Sequence, residues 1–114
     1  MWMNVYYQEA GITILHGDGV EAMRAMPDGT IDLCLTDPPY GLKLSGRGSI
    51  GGGGRPFEKK DWDRARPDDE AFEEIRRVSR RQVIWGGNYF ADQVPASRCW
   101  FVWYKRPNNK TDFA

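Results

Sequence analysis

Ile31-Asp32-Leu33-Cys34-Leu35-Thr36 is an apolar run that leads directly into Asp37-Pro38-Pro39-Tyr40. The run reads as a buried strand. A strand that ends in a carboxylate, two prolines and an aromatic ring carries a rigid polar notch at its carboxyl end. Each proline fixes its own φ and has no N–H to donate, and the residue before a proline is pushed out of the helical region. Backbone carbonyls there stay free to accept. Asp37 can accept from an amine, and Tyr40 offers a flat face for stacking. The notch is equipped for an exocyclic amino group on a nucleobase.

Around that strand the chain alternates. Val5 to Tyr7 and Ile12 to His16 read as short strands about a turn at Glu9-Ala10-Gly11. Gly19 to Met26 reads as a short helix with Val20, Ala22, Met23 and Met26 inward, and Pro27-Asp28-Gly29 as a turn. Pro67 is placed to start a helix at its favoured first-turn position, with acids early and arginines late. Phe72, Ile75 and Val78 give that helix an apolar stripe. Gln82 to Trp85 reads as a strand ending in Gly86-Gly87, with Asn88 capping a short helix through Asp92. Arg98 to Tyr104 reads as a last strand. The expected class is α/β, with a mostly parallel sheet and helices on its faces.

Composition sets bounds. The 114 residues hold one small domain. Sixteen basic and sixteen acidic residues balance, so net charge alone gives no nucleic-acid footprint. Cys34 and Cys99 lie in apolar runs and read as buried, reduced thiols. No leader opens the chain and no apolar run is long enough to span a bilayer, which points to a cytoplasmic protein without membrane contact. His16 is the only histidine, and no cysteine pair has ligand spacing, so no metal site is expected.

Gly41 to Arg66 holds seven glycines and almost no apolar periodicity. It reads as a mobile loop, either a slack surface segment or a lid whose Lys43, Arg47, Arg55, Lys59 and Lys60 face DNA phosphates. Arg76, Arg77, Arg80 and Arg81 read as a solvated helix end, and Trp85, Trp100 and Trp103 as core and rim packing. Gly86-Gly87 suits a tight strand exit or a close backbone approach. Gly17-Asp18-Gly19-Val20-Glu21-Ala22 also fits G-x-G-x-x-A, a dinucleotide fingerprint. Asp37 lies near the spacing of that pattern's ribose-binding acid, but the helix is short for the fold, and two prolines after the acid are foreign to it. A plain turn is the other reading of Gly17 to Gly19.

From Ile14 to Gly41 the chain resembles the DNA amino-methyltransferases, which methylate adenine N6 or cytosine N4. His16-Gly17-Asp18, a short helix, and then Asp32 through Gly41 look like their catalytic strand and its lead-in. Trp62-Asp63, Arg77-Val78, Trp85-Gly86-Gly87-Asn88-Tyr89-Phe90 and Trp100 to Lys105 follow in order, so the likeness runs over nearly the whole chain. It implies a Rossmann-like sheet, S-adenosylmethionine as cofactor and DNA as partner. It implies catalytic roles for Asp37, Pro38, Pro39 and Tyr40, with Tyr40 stacked on a flipped base, and a place for Asp18 beside the cofactor's adenosine. Members ending this motif in Asp-Pro-Pro-Tyr lean toward adenine. An enzyme acting on RNA or a protein amide, and a non-catalytic remnant that binds DNA or a partner, are the alternatives.

The family's glycine-rich cofactor loop, in which a phenylalanine and spaced glycines follow a strand, has no match here. Residues 1–114 are therefore expected to be the amino-terminal, catalytic-motif part of a bacterial or phage-encoded methyltransferase domain. Such a part is expected to be inactive alone, and its exposed edges call for a separate carboxyl-terminal half or self-association.

Overall fold

The computed structural model describes residues 4–42 and 63–103. The first unit is an antiparallel hairpin of β1 (Asn4–Glu9) and β2 (Ile12–His16). Its two-residue turn, Ala10-Gly11, has φ of 41° and 85°. Positive φ at both turn residues is what a type I′ hairpin requires, because that turn matches the right-handed twist of the flanking strands. The register slips once, between Val5 and Tyr7.

Next comes α1 (Gly19–Arg24), capped by Asp18, whose Oδ1 accepts from the backbone N–H of Val20 at 2.9 Å and of Glu21 at 3.0 Å. Val20, Ala22, Met23 and Met26 are all half-buried, as their spacing implied. Then β3 (Cys34–Thr36) passes through α2 (Asp69–Val78) to β4 (Gln82–Ile84). β3 and β4 pair in parallel, Cys34 with Gln82, Leu35 with Val83 and Thr36 with Ile84. These three elements form a βαβ unit, the building block of α/β proteins.

The core lies under α2. Phe72, Ile75 and Val78 are buried, and Phe72 and Ile75 cluster with Phe90. Met23, Cys34, Tyr40, Ile84, Tyr89 and Val94 pack against that cluster. The rings of Phe72 and Phe90 sit 5.0 Å apart, tilted at 49°. Burial pushes the Cys34 thiol up from its ordinary value.

α1 and α2 are fastened by charge. Arg24 Nε donates to Glu70 Oε1 at 2.8 Å. Arg77 donates to the carbonyls of Met23 at 2.7 Å and Met26 at 2.9 Å, and to Asp28 and Glu74. It thus takes up carbonyls at and just beyond the end of α1, that of Met23 also accepting from Met26 N–H at 2.9 Å.

Several expectations need correction. The class is α/β, but the described strands form two separate two-stranded sheets, one antiparallel and one parallel, instead of one mostly parallel sheet. The strand expected over Ile31 to Thr36 narrows to Cys34–Thr36, with Ile31 held in an isolated parallel bridge to Ser79. Only one of its faces is covered: Leu33 and Leu35 are exposed, Leu35 at 65%. Pro67 precedes the cap of α2, and Asp68 is the cap, accepting from Ala71 N–H. Gly87–Phe90 is a 3₁₀ turn whose first flanking residue is Gly86 in the left-handed region, so Asn88 caps nothing there. Residues 98–103 form no strand.

Arg77 is a half-buried clamp and no part of a solvated end. Cys99 is exposed. Trp85, Trp100 and Trp103 lie at the surface, with Trp85 and Trp103 edge to face at 5.8 Å. Most of the loop expected over Gly41 to Arg66, residues 43–62, lies outside the described residues. No helix among the described residues is long and apolar enough to cross a membrane.

Candidate active site

Asp37-Pro38-Pro39-Tyr40 leaves the carboxyl end of β3, and Gly86 to Phe90 leaves the same end of its parallel neighbour β4. In open α/β sheets, ligands bind outside the carboxyl ends of the strands. A cleft of about 310 Å³ opens here, lined by Asp18 at the cap of α1, by Gly19, Val20 and Met23 from α1, by Thr36 to Pro39, and by Pro67, Ala71, Phe72 and Ile75. Its size is at the lower end for small-molecule pockets, which span roughly 300–1,000 Å³. The sequence-derived residues Asp18, Asp37, Pro38 and Pro39 therefore share one wall system. Asp37 is exposed and Pro38 buried.

Tyr40 packs toward the turn after β4. It does not line the cleft. Its ring stacks on Tyr89, centroids 4.6 Å apart and planes 16° from parallel, and meets Phe90 at 6.0 Å. Its hydroxyl donates to Asp37 Oδ1 at 2.6 Å. Burial first, and then that bond, push the Tyr40 phenol up to about 12. One carboxylate oxygen of Asp37 is thereby engaged, and Oδ2 is the second acceptor.

Gly86 makes this packing possible. Its φ is 69°, and a Cβ there would lie 2.2 Å from the Tyr40 ring. Gly87 serves Trp100 in the same way, since a Cβ would stand 3.2 Å from the indole. The two glycines are close-approach positions for two aromatic rings.

Sequence reasoning gave Asp63 no role beyond a motif match. It is 3% exposed, and its Oδ1 accepts the backbone N–H of Gly41 at 2.9 Å. Gly41, at φ 74°, also has Arg66 against it, with a Cβ predicted to fall 3.1 Å from Arg66 N. Arg66 in turn donates to the Tyr89 carbonyl and to both oxygens of Asp92, at 2.7, 2.7 and 3.0 Å. The notch and the turn after β4 are tied together through residues 63–66. The signal available in the sequence was a lone acid beside Trp62, too common to weigh by itself.

Among the described residues no group of three or more His, Cys, Asp or Glu side chains stands arranged to hold a metal ion. For an adenosyl cofactor the cleft offers the Asp18 carboxylate as an acceptor for hydroxyl or amine hydrogens, above an apolar floor of Val20, Met23, Phe72 and Ile75. Both capping bonds of Asp18 fall on Oδ1. The donor set fits such a group.

Comparisons with known proteins give partial matches. Over 78 residues, 68% of this chain, the sequence is 28% identical to the type II methyltransferase M2.LlaDCHI of Lactococcus lactis subsp. cremoris and to M2.DpnII of Streptococcus pneumoniae. Over 37 residues, 32% of this chain, it is 38% identical to the type II methyltransferase M.ScaI of Streptomyces caespitosus. The chain is thus similar, over part of its length, to type II methyltransferases. The matched stretch spans 28% of the length of the first two relatives and 12% of the third. No family model matches. No solved structure matches either.

Proposed function

We propose that this chain supplies the amine-positioning part of an S-adenosylmethionine-dependent DNA methyltransferase acting on adenine N6. The observation that supports this most is that Asp37 and Pro38, at the carboxyl end of β3, line one cleft with Asp18. In this reading a flipped base presents its exocyclic amine to the notch. The Asp37 carboxylate and the Pro38 carbonyl accept the two amine hydrogens. The nitrogen lone pair is thereby drawn out of conjugation with the ring and aimed at the methyl group.

S-adenosylmethionine, when bound, supplies that methyl group as an electrophile. Asp18 would hold its adenosine side, and the apolar floor would exclude water from the line of transfer. Rate comes from orientation and from fixed charge, which together can carry most of such a barrier. Tyr40 contributes by holding Asp37, and its ring is itself backed by Tyr89.

The matched stretch spans a little over a quarter of the length of two relatives, so the reading is best tested in a longer chain. The test is a radiolabelled methyl-transfer assay in a chain completed with the carboxyl-terminal part of a relative. Duplexes whose only methylatable base is adenine or cytosine, an RNA and a protein substrate are offered in parallel. Transfer to adenine-bearing DNA supports the reading. Transfer only to RNA or protein, or none in any context, overturns it.

A further inference from the structure

We propose that Tyr89 and Gly86 are positioning residues for Asp37, acting through the ring of Tyr40. The proposal rests on the reading of Asp37 as the amine acceptor and adds the parts that aim it.

Asp37 is exposed, and an exposed carboxylate ordinarily turns freely about its side-chain bonds. Here its Oδ1 is held by the Tyr40 hydroxyl at 2.6 Å. That restraint is only as firm as the phenol that makes it. A tyrosine ring held at one edge would swing.

Tyr40 is held on two sides by the turn after β4. Tyr89 lies flat against it at 4.6 Å. Gly86 lets the backbone come so close that even one added methyl would overlap the ring at 2.2 Å. The turn is itself fixed. Tyr89 N–H donates to the Gly86 carbonyl at 2.8 Å, and its own carbonyl accepts from Arg66 at 2.7 Å. β4 runs parallel and hydrogen-bonded to β3, so the support grows from the strand beside the one that carries Asp37. The arrangement is a chain of contacts: Gly86 and Tyr89 hold the ring, the ring holds the hydroxyl, and the hydroxyl holds one oxygen. Oδ2 is then presented in a set direction. Preorganised sites require such support, because a carboxylate free to rotate orients an amine poorly.

The groups that face the Tyr40 phenol are Asp37, Tyr89 and Asp63. Its raised titration therefore reports the packed, Asp37-bonded state. The experiment labels the full chain with 3-fluorotyrosine, whose fluorine brings phenol ionisation into a gentler pH range, and follows each ring by fluorine NMR. Tyr40→Phe assigns the Tyr40 signal. In the parent, Tyr40 is expected to titrate well above an ordinary phenol, and the carboxyl carbon of Asp37 to step at the same pH. Tyr89→Leu and Gly86→Ala should each lower the Tyr40 midpoint by about one pH unit or more and uncouple the Asp37 carbon from it. Tyr89→Phe, which keeps the ring, should retain both. Dispersed signals from the remaining tyrosines show that a variant is folded.

An unchanged Tyr40 midpoint in folded Tyr89→Leu and Gly86→Ala overturns the proposal. So does a parent Asp37 carbon that ignores Tyr40 ionisation. Neither readout involves methyl transfer. A coupled pair without transfer in the completed chain would remove the methyltransferase reading alone, and transfer without coupling would remove only the positioning role.

Discussion

Asp63 Oδ1 accepts the backbone N–H of Gly41 at 2.9 Å, across 22 positions of sequence. The residue that follows the notch is thus tied to the segment that resumes before α2. A buried carboxylate acting on a backbone donor is a strong bond, and its loss strands that donor. Asp63→Ala should destabilise the chain by roughly 1–3 kcal/mol, the cost of an unsatisfied buried group. Asp63→Asn keeps an acceptor oxygen and should cost less. Chemical denaturation gives the difference, and amide exchange at Gly41 should quicken in Asp63→Ala while the amides of α2 change little. Equal exchange at Gly41 in parent and variant would contradict the pinning.

The notch itself makes a graded prediction in a completed enzyme. Asp37→Ala should lower methyl transfer by about 10³-fold or more, since an aligned charged acceptor is removed at the reacting amine. Tyr40→Phe keeps the Tyr89 stack but removes a hydrogen bond to a charged group, worth about 1.5–3 kcal/mol. Turnover should drop by roughly 10- to 100-fold, with DNA affinity little changed because phosphate contacts dominate it. Near-parental turnover in Asp37→Ala would end the assignment of the notch.

Glu74 and Arg77 give a pH prediction. The bond from Arg77 holds the Glu74 carboxyl below the usual carboxylate range. A folded value lower than the unfolded one means that the stabilisation is present above the ordinary glutamate range and is lost as pH falls through the folded value. The melting temperature of the parent should therefore decline below about pH 4.5. In Arg77→Met the decline should be shallower, and the gap between parent and variant should narrow on going from pH 7 to pH 3. Arg77→Lys should melt almost as early as Arg77→Met at neutral pH, because one ammonium cannot reach two carbonyls and two carboxylates as a guanidinium does. A constant gap across that range would show that the pair contributes nothing to the acid response.

What the sequence made legible, and what it hid, follows from the range of each interaction. The α2 stripe of Phe72, Ile75 and Val78 was readable because helical spacing is local, and all three residues are buried. The hairpin was readable from two apolar runs about Ala10-Gly11. Asp18 was singled out only through the family resemblance, and it lines the same cleft as Asp37. The stack of Tyr40 on Tyr89 was not legible, because no local pattern announces a contact between residues on adjacent strand exits. Arg77 was misread for the same reason: a late-helix arginine looks solvated until α1 brings the Met23 and Met26 carbonyls to it. The 98–103 segment has strand-like alternation, yet it finds no neighbour to pair with among the described residues, and alternation without a partner does not make a strand.

The turn of the hairpin is open to a stabilising change. Ala10 is the one non-glycine among the described residues with positive φ, at 41°. An L-residue with a Cβ pays roughly 1–2 kcal/mol in that region, and asparagine tolerates it better through local hydrogen bonds. Ala10→Asn should raise the melting temperature of the hairpin, seen as slower exchange of its paired amides. Ala10→Val, branched at Cβ, should do the reverse. Equal exchange in all three would mean that the turn carries no strain.

The surface predicts how the chain behaves by itself. Leu35 is 65% exposed on β3, and Phe101 and Val102 are 91% and 87% exposed beyond β4. Apolar area on this scale around an open two-stranded sheet favours association. The isolated chain should bind an environment-sensitive dye and form concentration-dependent oligomers in sedimentation. It should also bind S-adenosylmethionine weakly or not at all, with no turnover. The described residues line the cleft with Asp18 and the notch, whereas transfer needs methyl donor and amine held in line to within about 0.5 Å. Adding a separately made carboxyl-terminal part of a relative should then suppress the oligomers and raise cofactor affinity together, since both effects come from covering one surface. Calorimetric titration of S-adenosylmethionine into the purified chain, with a radiolabelled transfer assay beside it, decides the matter. Micromolar binding with turnover by this chain alone would show that the site is already whole.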